Sequence, residues 1–293
     1  MIEVAAASYL DRLAARSAAS GTVLCLGLDP DPSALPSGFS SDLGGVEAFA
    51  AVLLESALPF VAAVKPNVAF FEAYGSAGLA ALERLRAAIP REVPVIIDAK
   101  RGDIGSTAAR QAVALFDVLG ADAVTVNPYL GEEAIGPLLE RVDRFAYVLC
   151  RTSNHGADEV QGLIVAADAG LDVPAEPLWA RIARRAQHWG PGGTVGLVVG
   201  ATAAQDLRAI RRIAPGLPML VPGIGAQGGD VEAAVRHGPA RIAPAGNRPG
   251  GGLLVNVGRG IAEAARGPAG ATDPGEQIRR AAREWASRLP VLG

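Results

Sequence analysis

Short apolar runs rich in β-branched residues alternate with helical patterns along the chain, and this alternation constrains the fold more than any other feature. Seven runs are evident, at residues 23–28, 60–65, 94–98, 123–127, 146–151, 194–199 and 218–221. The eighth is either 240–243 or 253–257, and we favour 253–257 because Gly258-Arg259-Gly260 then opens a closing helix. Strands that alternate with helices form parallel sheets, and eight such units predict an α/β fold, the (β/α)8 or TIM barrel.

The segments between the runs have helical periodicity with alanine-rich apolar faces. The predicted helices are 45–56, 77–88, 106–119, 131–141, 176–189, 203–213, 230–236 and 261–266. A doubly wound open sheet is the alternative, but no G-x-G-x-x-G follows the first run, where Gly27 leads to Asp29-Pro30. We predict one barrel domain over residues 1–293, with long loops at 157–177 and 239–252 and a helical extension at 276–288.

Composition limits the partners that such a chain can have. The formal net charge is −3 and no basic stripe is present, which argues against a nucleic-acid-binding surface. Cys25 and Cys150 each lie in an apolar run, so we expect buried thiols and no disulfide framework. We find neither a signal peptide nor a run of about 18 apolar residues that could span a membrane. These features predict a cytoplasmic protein that binds neither nucleic acid nor membrane.

Lysine is nearly absent from the chain. Of 27 basic residues only Lys65 and Lys100 are lysines, and both fall at the carboxyl ends of predicted strands. An ammonium group can lose a proton, whereas a guanidinium practically cannot. The two lysines therefore indicate positions where an ammonium is needed, with chance retention as the alternative.

Chemistry in (β/α)8 barrels takes place at the carboxyl ends of the strands, so the polar residues found there are candidate site residues. They are Asp29, Lys65, Asp98, Lys100, Asn127, Thr152, Ser153, Asn154, the loop 222–229 and Arg259. Strand alternation directs Asp98 and Lys100 to the same side. With Asp103 they form a pattern in which two carboxylates hold an ammonium charged. The alternative is a solvated loop in which Asp103 or Ser106 caps the next helix.

The glycine-rich loop 223–229 is a candidate phosphate cradle. Backbone N–H groups and the N-terminus of the helix that follows both attract a phosphate dianion. The loop follows the seventh predicted strand and Arg259 follows the eighth, which is where many barrels bind phosphate. Glycines that serve only a tight turn are the alternative.

The three histidines do not form a recognisable site. His155, His188 and His237 are scattered, and only His155 lies at the carboxyl end of a predicted strand. No spacing typical of metal ligands or of a histidine-activated nucleophile is present. The sequence therefore predicts no metal site.

The motifs together resemble the orotidine 5′-phosphate decarboxylase family, and most closely its bacterial (type 2) branch of longer chains. The matching motifs are Leu28-Asp29-Pro30, Val64-Lys65-Pro66-Asn67, Phe70-Phe71-Glu72, the segment 98–107, Thr152-Ser153-Asn154, the loop 222–229 and Gly258-Arg259-Gly260. They occur in family order from the first strand to the last, and the segment 98–107 is the most specific. At His155 the sequence departs from the proline that many relatives have.

The resemblance implies roles for these positions. Asp98, Lys100 and Asp103 would form the catalytic network, which Lys65 would join. Asp103 and Thr107 would reach into the partner subunit's site in a homodimer. The implied substrate-binding residues are Asp29, Lys65, Thr107, Ser153, Asn154, Gly225, Gln227, Gly228 and Arg259. Asp29 and Lys65 would bind ribose hydroxyls, Ser153 the pyrimidine, and Gln227 and Arg259 the 5′-phosphate.

The reaction that the resemblance implies is decarboxylation of orotidine 5′-monophosphate to UMP in pyrimidine biosynthesis, without a cofactor and with Lys100 as proton donor. A sugar-phosphate decarboxylase or aldolase-type synthase of the same superfamily shares the D-x-K-x-x-D spacing but uses Mg²⁺. A non-catalytic barrel that senses UMP is the other alternative. Arg101-Gly102 and Gln227-Gly228-Gly229 favour the orotidine enzyme, and the intact Asp98, Lys100 and Asp103 set argues against a sensor.

Overall fold

Eight parallel strands form the centre of the computed structural model, which describes residues 7–170, 173–201, 204–225, 228–267 and 273–292. The strands are β1 Leu24–Leu28, β2 Ala63–Pro66, β3 Ile96–Arg101, β4 Ala123–Val126, β5 Phe145–Arg151, β6 Val195–Val199, β7 Met219–Val221 and β8 Leu253–Val257. Each pairs with the next in the chain, β8 pairs with β1, and bridges join β2 to β3. The barrel prediction is therefore confirmed, the open sheet is excluded, and 253–257 is the eighth strand.

Side chains alternate along each strand between the barrel interior and the surrounding helices. The interior residues are Cys25, Ala63, Ile96, Ala123, Phe145, Tyr147, Val198, Leu220 and Leu254. The outward-facing residues of the same strands, such as Leu26 and Val255, join a separate cluster with the helices. The interior is thus a packed core, and polar residues are confined to its carboxyl end.

The other end of the barrel is closed by an N-terminal helix, which was not among the predicted helices. Helix α1, Tyr9–Ser20, packs Tyr9 and Leu13 against the interior residues. The Tyr9 ring stacks on Phe145 with centroids 4.7 Å apart, and its hydroxyl lies 3.1 Å from that of Tyr147. Only the carboxyl ends of the strands therefore open to solvent.

The outer layer consists of helices whose apolar faces pack on the strands. The longer ones after α1 are α2 Leu43–Ala57, α3 Gly75–Ala88, α4 Gly105–Ala112, α5 Leu178–Ala186, α6 Ala204–Ile213, α7 Val231–His237 and α8 Pro274–Arg288. Shorter helical segments are Pro32–Ala34, Leu58–Phe60, Ala69–Glu72, Val113–Val118, Pro128–Leu130, Gly136–Leu139, Ala157–Val160, Pro249–Gly252, Arg259–Ala262 and Glu263–Arg266.

The helix predicted over 131–141 is wrong in its extent. Within this range only Gly136–Leu139 is helical, and the short segment Pro128–Leu130 precedes the range. Gly131 adopts a φ of +96°, which interrupts a helix, and Pro137 can occupy only the first turn of the second segment.

The two long loops differ in structure. The loop 157–177 contains Ala157–Val160 and a two-residue antiparallel ribbon between Ile164–Val165 and Glu176–Pro177, with residues 171 and 172 outside the described part of the chain. The loop 239–252 is irregular up to Pro249–Gly252. The first of these loops lies at the carboxyl end of β5, beside the mouth of the barrel.

The C-terminal extension packs on the side of the barrel, a placement that the sequence left open. Helix α8 contacts α2 and Glu263–Arg266. Beyond the helix, the carbonyl of Leu289 accepts a hydrogen bond from Thr22 Oγ1 at 2.7 Å. The end of the chain is thereby attached next to β1.

One segment is long and apolar enough to cross a membrane, contrary to the sequence expectation. Residues Leu43–Phe60 have a mean hydropathy of 1.5 over 18 residues. In the fold this segment is α2 and the turn after it, and Phe49, Leu53 and Leu54 are buried against the strands. A core helix of a barrel can have the length and apolar composition of a membrane span. The packing of this segment against the strands therefore accounts for its hydropathy.

Candidate active site

Toward the carboxyl ends of the strands, the next inward-facing side chains after the apolar interior are polar. Two adjoining cavities open in this layer, of about 180 and 430 Å³, and they share Lys65, Asp98, Ser153 and Pro222. The smaller is also lined by Asp29, Asn67, Gly223, Ile224, Asn256, Gly258 and Arg259. The larger is also lined by Lys100, Thr125, Leu149, Thr152, Asn154, Gln161, Val198 and Leu220. Together they form a cleft of the size that binds small molecules.

Asp98 lies at the centre of this cleft between the two lysines of the chain. Its Oδ2 lies 2.6 Å from Lys65 Nζ, and its Oδ1 lies 2.6 Å from Lys100 Nζ. Thr125 Oγ1 donates a third hydrogen bond to Oδ1 at 2.8 Å. The three partners come from β2, β3 and β4, so the network exists only when the barrel is closed.

Asp98 and Lys65 are held in their charged forms by their neighbours in this network. Burial would raise the pKa of Asp98, but the ammonium groups of Lys65 and Lys100 outweigh burial and hold that pKa well below its ordinary value. Burial would likewise lower the pKa of Lys65, yet the charges of Asp98 and Asp29 keep it above its ordinary value. Asp98 and Lys65 are therefore both charged at neutral pH.

Lys100 is placed by an unusual backbone conformation. It has a φ of +48°, the only positive φ of a non-glycine residue in the described part of the chain. The strand is irregular there, because its register with β4 shifts between Ile97 and Arg101. Thr125 Oγ1 accepts hydrogen bonds from the N–H groups of Ala99 and Lys100 at 3.1 and 3.0 Å. Strained backbone of this kind is concentrated at functional sites, where the surrounding structure imposes it.

The chain does not bring Asp103 to Lys100. The Asp103 carboxylate accepts a hydrogen bond from the N–H of Ile104 at 2.8 Å and has no ion pair among the described residues. Neither Asp103 nor Thr107 lines the cleft, and Thr107 lies in a groove on the flank of the barrel with Leu79 and Val118. Within one chain the expected pair of carboxylates around Lys100 is thus not formed, since Asp98 is its only carboxylate partner among the described residues.

Asp29 and Asn256 face the smaller cavity from neighbouring strands. One oxygen of each side chain, Asp29 Oδ1 and Asn256 Oδ1, is buried without a hydrogen-bond partner among the described residues. A buried acceptor without a donor is costly, so both oxygens are available to hydroxyl or N–H donors of a ligand. Gly27 and Gly258 leave space for these side chains. A Cβ at Gly27 would lie 3.0 Å from Gly258 Cα, and a Cβ at Gly258 would lie 3.3 Å from Asp29 Oδ2.

The smaller cavity ends at the predicted phosphate loop. Gly223, Gly225 and Gly228 have φ values of +94°, +88° and +71°, a conformation that favours glycine and turns the loop sharply. Gln227 lies outside the described residues. Helix α7 does not offer a free N-terminus to a ligand, because the Asp230 side chain accepts a hydrogen bond from the N–H of Ala233 at 2.9 Å.

Arg259 supplies the positive charge at this end of the cleft. It opens the short helix Arg259–Ala262 directly after β8, is exposed, and forms no ion pair with any described residue. An unpaired guanidinium beside glycine N–H groups suits a phosphate, because it can donate two parallel hydrogen bonds.

The loop after β5 lines the larger cavity. Ser153 faces both cavities, and a Cβ at Gly200 would approach it to 2.9 Å, so the loop is held closely against β6. Thr152 Oγ1 donates to Asn154 Oδ1 at 2.6 Å, and Gln161 Nε2 donates to Thr152 Oγ1 at 2.8 Å. This chain of hydrogen bonds fixes the loop that carries Ser153.

Four polar side chains of the cleft were not among the predicted site residues: Asn67, Thr125, Gln161 and Asn256. Strand alternation is a signal that could have identified two of them. Thr125 is two residues after the interior Ala123, and Asn256 is two residues after the interior Leu254. Asn127 was a candidate site residue because it ends a predicted strand. Its side chain instead accepts a hydrogen bond from the N–H of Tyr129 and stabilises the turn.

Comparison with known proteins identifies the family of the chain. Residues 22–273 match the profile of the orotidine 5′-phosphate decarboxylase / HUMPS family. The chain is 48% identical over 256 residues to orotidine 5′-phosphate decarboxylase of Thermomicrobium roseum, a match that covers 87% of this chain and 86% of the relative. It is 43% identical over 260 residues to that of Herpetosiphon aurantiacus, covering 88% and 91%.

A solved structure shows that the likeness extends to the fold. The structure of Leishmania donovani OMP decarboxylase superposes on this chain with a TM-score of 0.77 and 37% sequence identity, covering 96% of this chain and 97% of that one. The profile match and the two bacterial relatives each span well over two thirds of the sequence. The chain therefore belongs to the orotidine 5′-phosphate decarboxylase / HUMPS family.

Proposed function

We propose that this chain decarboxylates orotidine 5′-monophosphate to UMP, with Lys100 as the proton donor. The observation that carries the proposal is the Asp98 carboxylate held at 2.6 Å from both Lys65 Nζ and Lys100 Nζ at the mouth of the barrel. Bacterial relatives at 43–48% identity are named orotidine 5′-phosphate decarboxylase. These two facts support the reaction independently, one from chemistry and one from descent.

In the orientation that we propose, the two cavities hold different parts of a pyrimidine nucleotide. The phosphate would lie between Gly223 and Arg259, and the ribose hydroxyls would donate to Asp29 beside Lys65. The pyrimidine would then occupy the larger cavity, next to Ser153 and Lys100. In this orientation the ring carbon that loses CO₂ faces the lysine side of the network.

The chemistry requires preorganised charge. Loss of CO₂ leaves an electron pair on ring carbon six in an orbital outside the π system, so no ring atom can delocalise it. Enzymes lower barriers by up to about 23 kcal/mol, and a reaction of this kind must use most of that range. Fixed charges aimed at the developing carbanion supply such stabilisation because they need no reorganisation during the reaction.

Lys100 is suited to two successive tasks. Its charge would stabilise the developing carbanion, and its Nζ would then donate the proton that replaces CO₂. Asp98 fixes the position of this ammonium, while Lys65 fixes Asp98 from the other side. Because half of the Lys100 side chain is exposed to the cleft, the ammonium can reach a substrate atom.

The homodimer is part of the proposal, since one chain leaves Asp103 and Thr107 outside its own cleft. Large apolar side chains are exposed on the same flank, including Ile104 at 62%, Val118 at 63% and Tyr129 at 80%. Exposed apolar surface of this kind marks a protein interface. In a symmetric dimer, Asp103 of one subunit would complete the network around Lys100 of the other.

Subunit complementation tests this arrangement. Lys100→Ala and Asp103→Ala, each expected to be nearly inactive as a homodimer, should regain about a quarter of wild-type activity when equal amounts are unfolded and refolded together. The reason is that half of the dimers are mixed and one site in each mixed dimer is intact. Refolding each variant alone is the control. A mixture that stays inactive while mixed dimers are shown by mass spectrometry would contradict shared sites.

Independence from metal is a separate prediction. Ultraviolet absorbance of orotidine 5′-monophosphate should fall at the same rate before and after treatment of the protein with EDTA, because the proposed charges are all side chains of the chain. Addition of Mg²⁺ should change the rate by less than about twofold. A rate that vanishes with EDTA and returns with Mg²⁺ would assign the chain to the sugar-phosphate enzymes instead. UMP binding without turnover would indicate a sensor.

A further inference from the structure

Trp285, on the C-terminal helix α8, lies behind the phosphate end of the cleft. Its indole Nε1 donates a hydrogen bond to the carbonyl of Gly260 at 3.1 Å. Gly260 directly follows Arg259, so this bond holds the turn that carries the guanidinium. No residue of α8 lines either cavity, and Trp285 acts on the site from outside it.

The same indole also lies against the glycine-rich loop after β7. A Cβ at Gly225 would be 3.6 Å from Trp285 Cζ2, and a Cβ at Gly260 would be 3.2 Å from the same atom. The ring therefore packs on both segments that border the phosphate end of the cleft. The approach at Gly260 depends on glycine, since a side chain there would push the ring away, whereas at Gly225 it is the φ of +88° that favours glycine.

The rest of α8 fixes the position of the ring. The Arg288 guanidinium lies over the indole at 4.2 Å from its centroid, a distance at which a cation and an aromatic face attract each other. Helix α8 also packs along α2 and Glu263–Arg266, and Ile278 and Ala282 are fully buried. An anchored helix can thus restrain the two loops, which by themselves are rich in glycine and conformationally free.

We propose that Trp285 is a positioning residue for phosphate binding, and that the C-terminal extension is therefore a functional part of the site. By holding Gly260 and Gly225 together, it sets the distance between the Arg259 turn and the glycine loop. The inference rests on the proposed function, because it assumes that this end of the cleft binds the substrate phosphate. It predicts an effect only on ligands that carry the phosphate.

The test compares UMP with uridine as inhibitors of orotidine 5′-monophosphate turnover. Trp285→Phe keeps a ring but removes the N–H donor. It should raise the inhibition constant of UMP about three- to tenfold, the effect of one lost hydrogen bond, and leave that of uridine within about twofold. Trp189→Phe is the matched control, since the Trp189 Nε1 is buried without a partner in the described part of the chain and precedes β6 at the opposite end of the barrel.

A fluorescence measurement distinguishes positioning from general loss of structure. Trp179→Phe combined with Trp189→Phe leaves Trp285 as the only tryptophan of the chain. Its emission should change on addition of UMP but not of uridine. Unchanged emission, an unchanged inhibition constant of UMP in Trp285→Phe, or equal losses for UMP and uridine would each overturn the inference. A wild-type chain that neither turns over the substrate nor prefers UMP to uridine would instead overturn the proposed function.

Discussion

Replacing Lys100 by alanine is expected to lower turnover of orotidine 5′-monophosphate at least about a thousandfold while leaving the Kd for UMP within about tenfold. Removal of one preorganised donor from a developing charge typically costs two to three orders of magnitude, and Lys100 would supply both charge and proton. UMP lacks the carboxylate, and in the proposed orientation most of its contacts would lie at the ribose and phosphate end of the cleft. The measurement is loss of substrate absorbance, with calorimetry for UMP.

Lys100→Arg separates the two tasks of the side chain. Arginine keeps a positive charge next to Asp98, but a guanidinium is too weak an acid to donate a proton. We therefore expect this variant to be as inactive as Lys100→Ala. Arg84→Ala, which removes an exposed cation paired with Glu47, is the control and should retain full activity. More than about 1% residual turnover in either Lys100 variant would refute Lys100 as the proton donor.

Asp98→Asn should be strongly destabilising as well as inactive. Lys65 is only 4% exposed, and Asp98 is its ion-pair partner among the described residues. Removing one partner of a buried pair leaves an uncompensated charge, which typically costs about 3–5 kcal/mol in the free energy of unfolding. Urea unfolding followed by circular dichroism measures this difference.

The pH dependence of this difference has a definite sign. The pKa of Asp98 is lowered by folding, so its contribution is fully present above its unfolded pKa of about 3.9 and is lost as pH falls through the native value. The pKa of Lys65 is raised, so its contribution is fully present below an unfolded pKa of about 10.4 and is lost as pH rises through the native value. The gap in stability between wild type and Asp98→Asn should therefore shrink as pH falls below about 4, where Asp98 of the wild type becomes protonated.

Asp117→Asn is the matched control for this experiment. Asp117 pairs with Arg141 on the surface, where an ion pair contributes little to stability because solvent screens it. We expect its effect on unfolding to be small at every pH. If Asp98→Asn were no more destabilising than Asp117→Asn, the buried network would not be held together by charge as the structure indicates.

The amino-acid sequence was sufficient for the architecture and for the charged residues of the cleft. Apolar runs with the period of a strand and alanine-rich segments with the period of a helix are local properties, and eight repeats of them specify a closed barrel. Barrel strands present their carboxyl ends at one rim, so residues that follow predicted strands are expected in the cleft. Eight of these residues line it, together with the start of the loop 222–229: Asp29, Lys65, Asp98, Lys100, Thr152, Ser153, Asn154 and Arg259.

The partnerships between these residues were decided by the tertiary structure alone. Asp98 is shared by two lysines because β2 and β3 are neighbours and because Lys100 adopts a positive φ, neither of which leaves a local pattern. Asp103 and Lys100 are three residues apart in sequence, yet Asp103 does not line the cleft of its own chain. Contacts across many residues, such as those of helix α1 with the barrel interior and of Trp285 with Gly260, depend on packing between distant segments. Local periodicity specifies each element, whereas only the closed barrel determines which side chains meet.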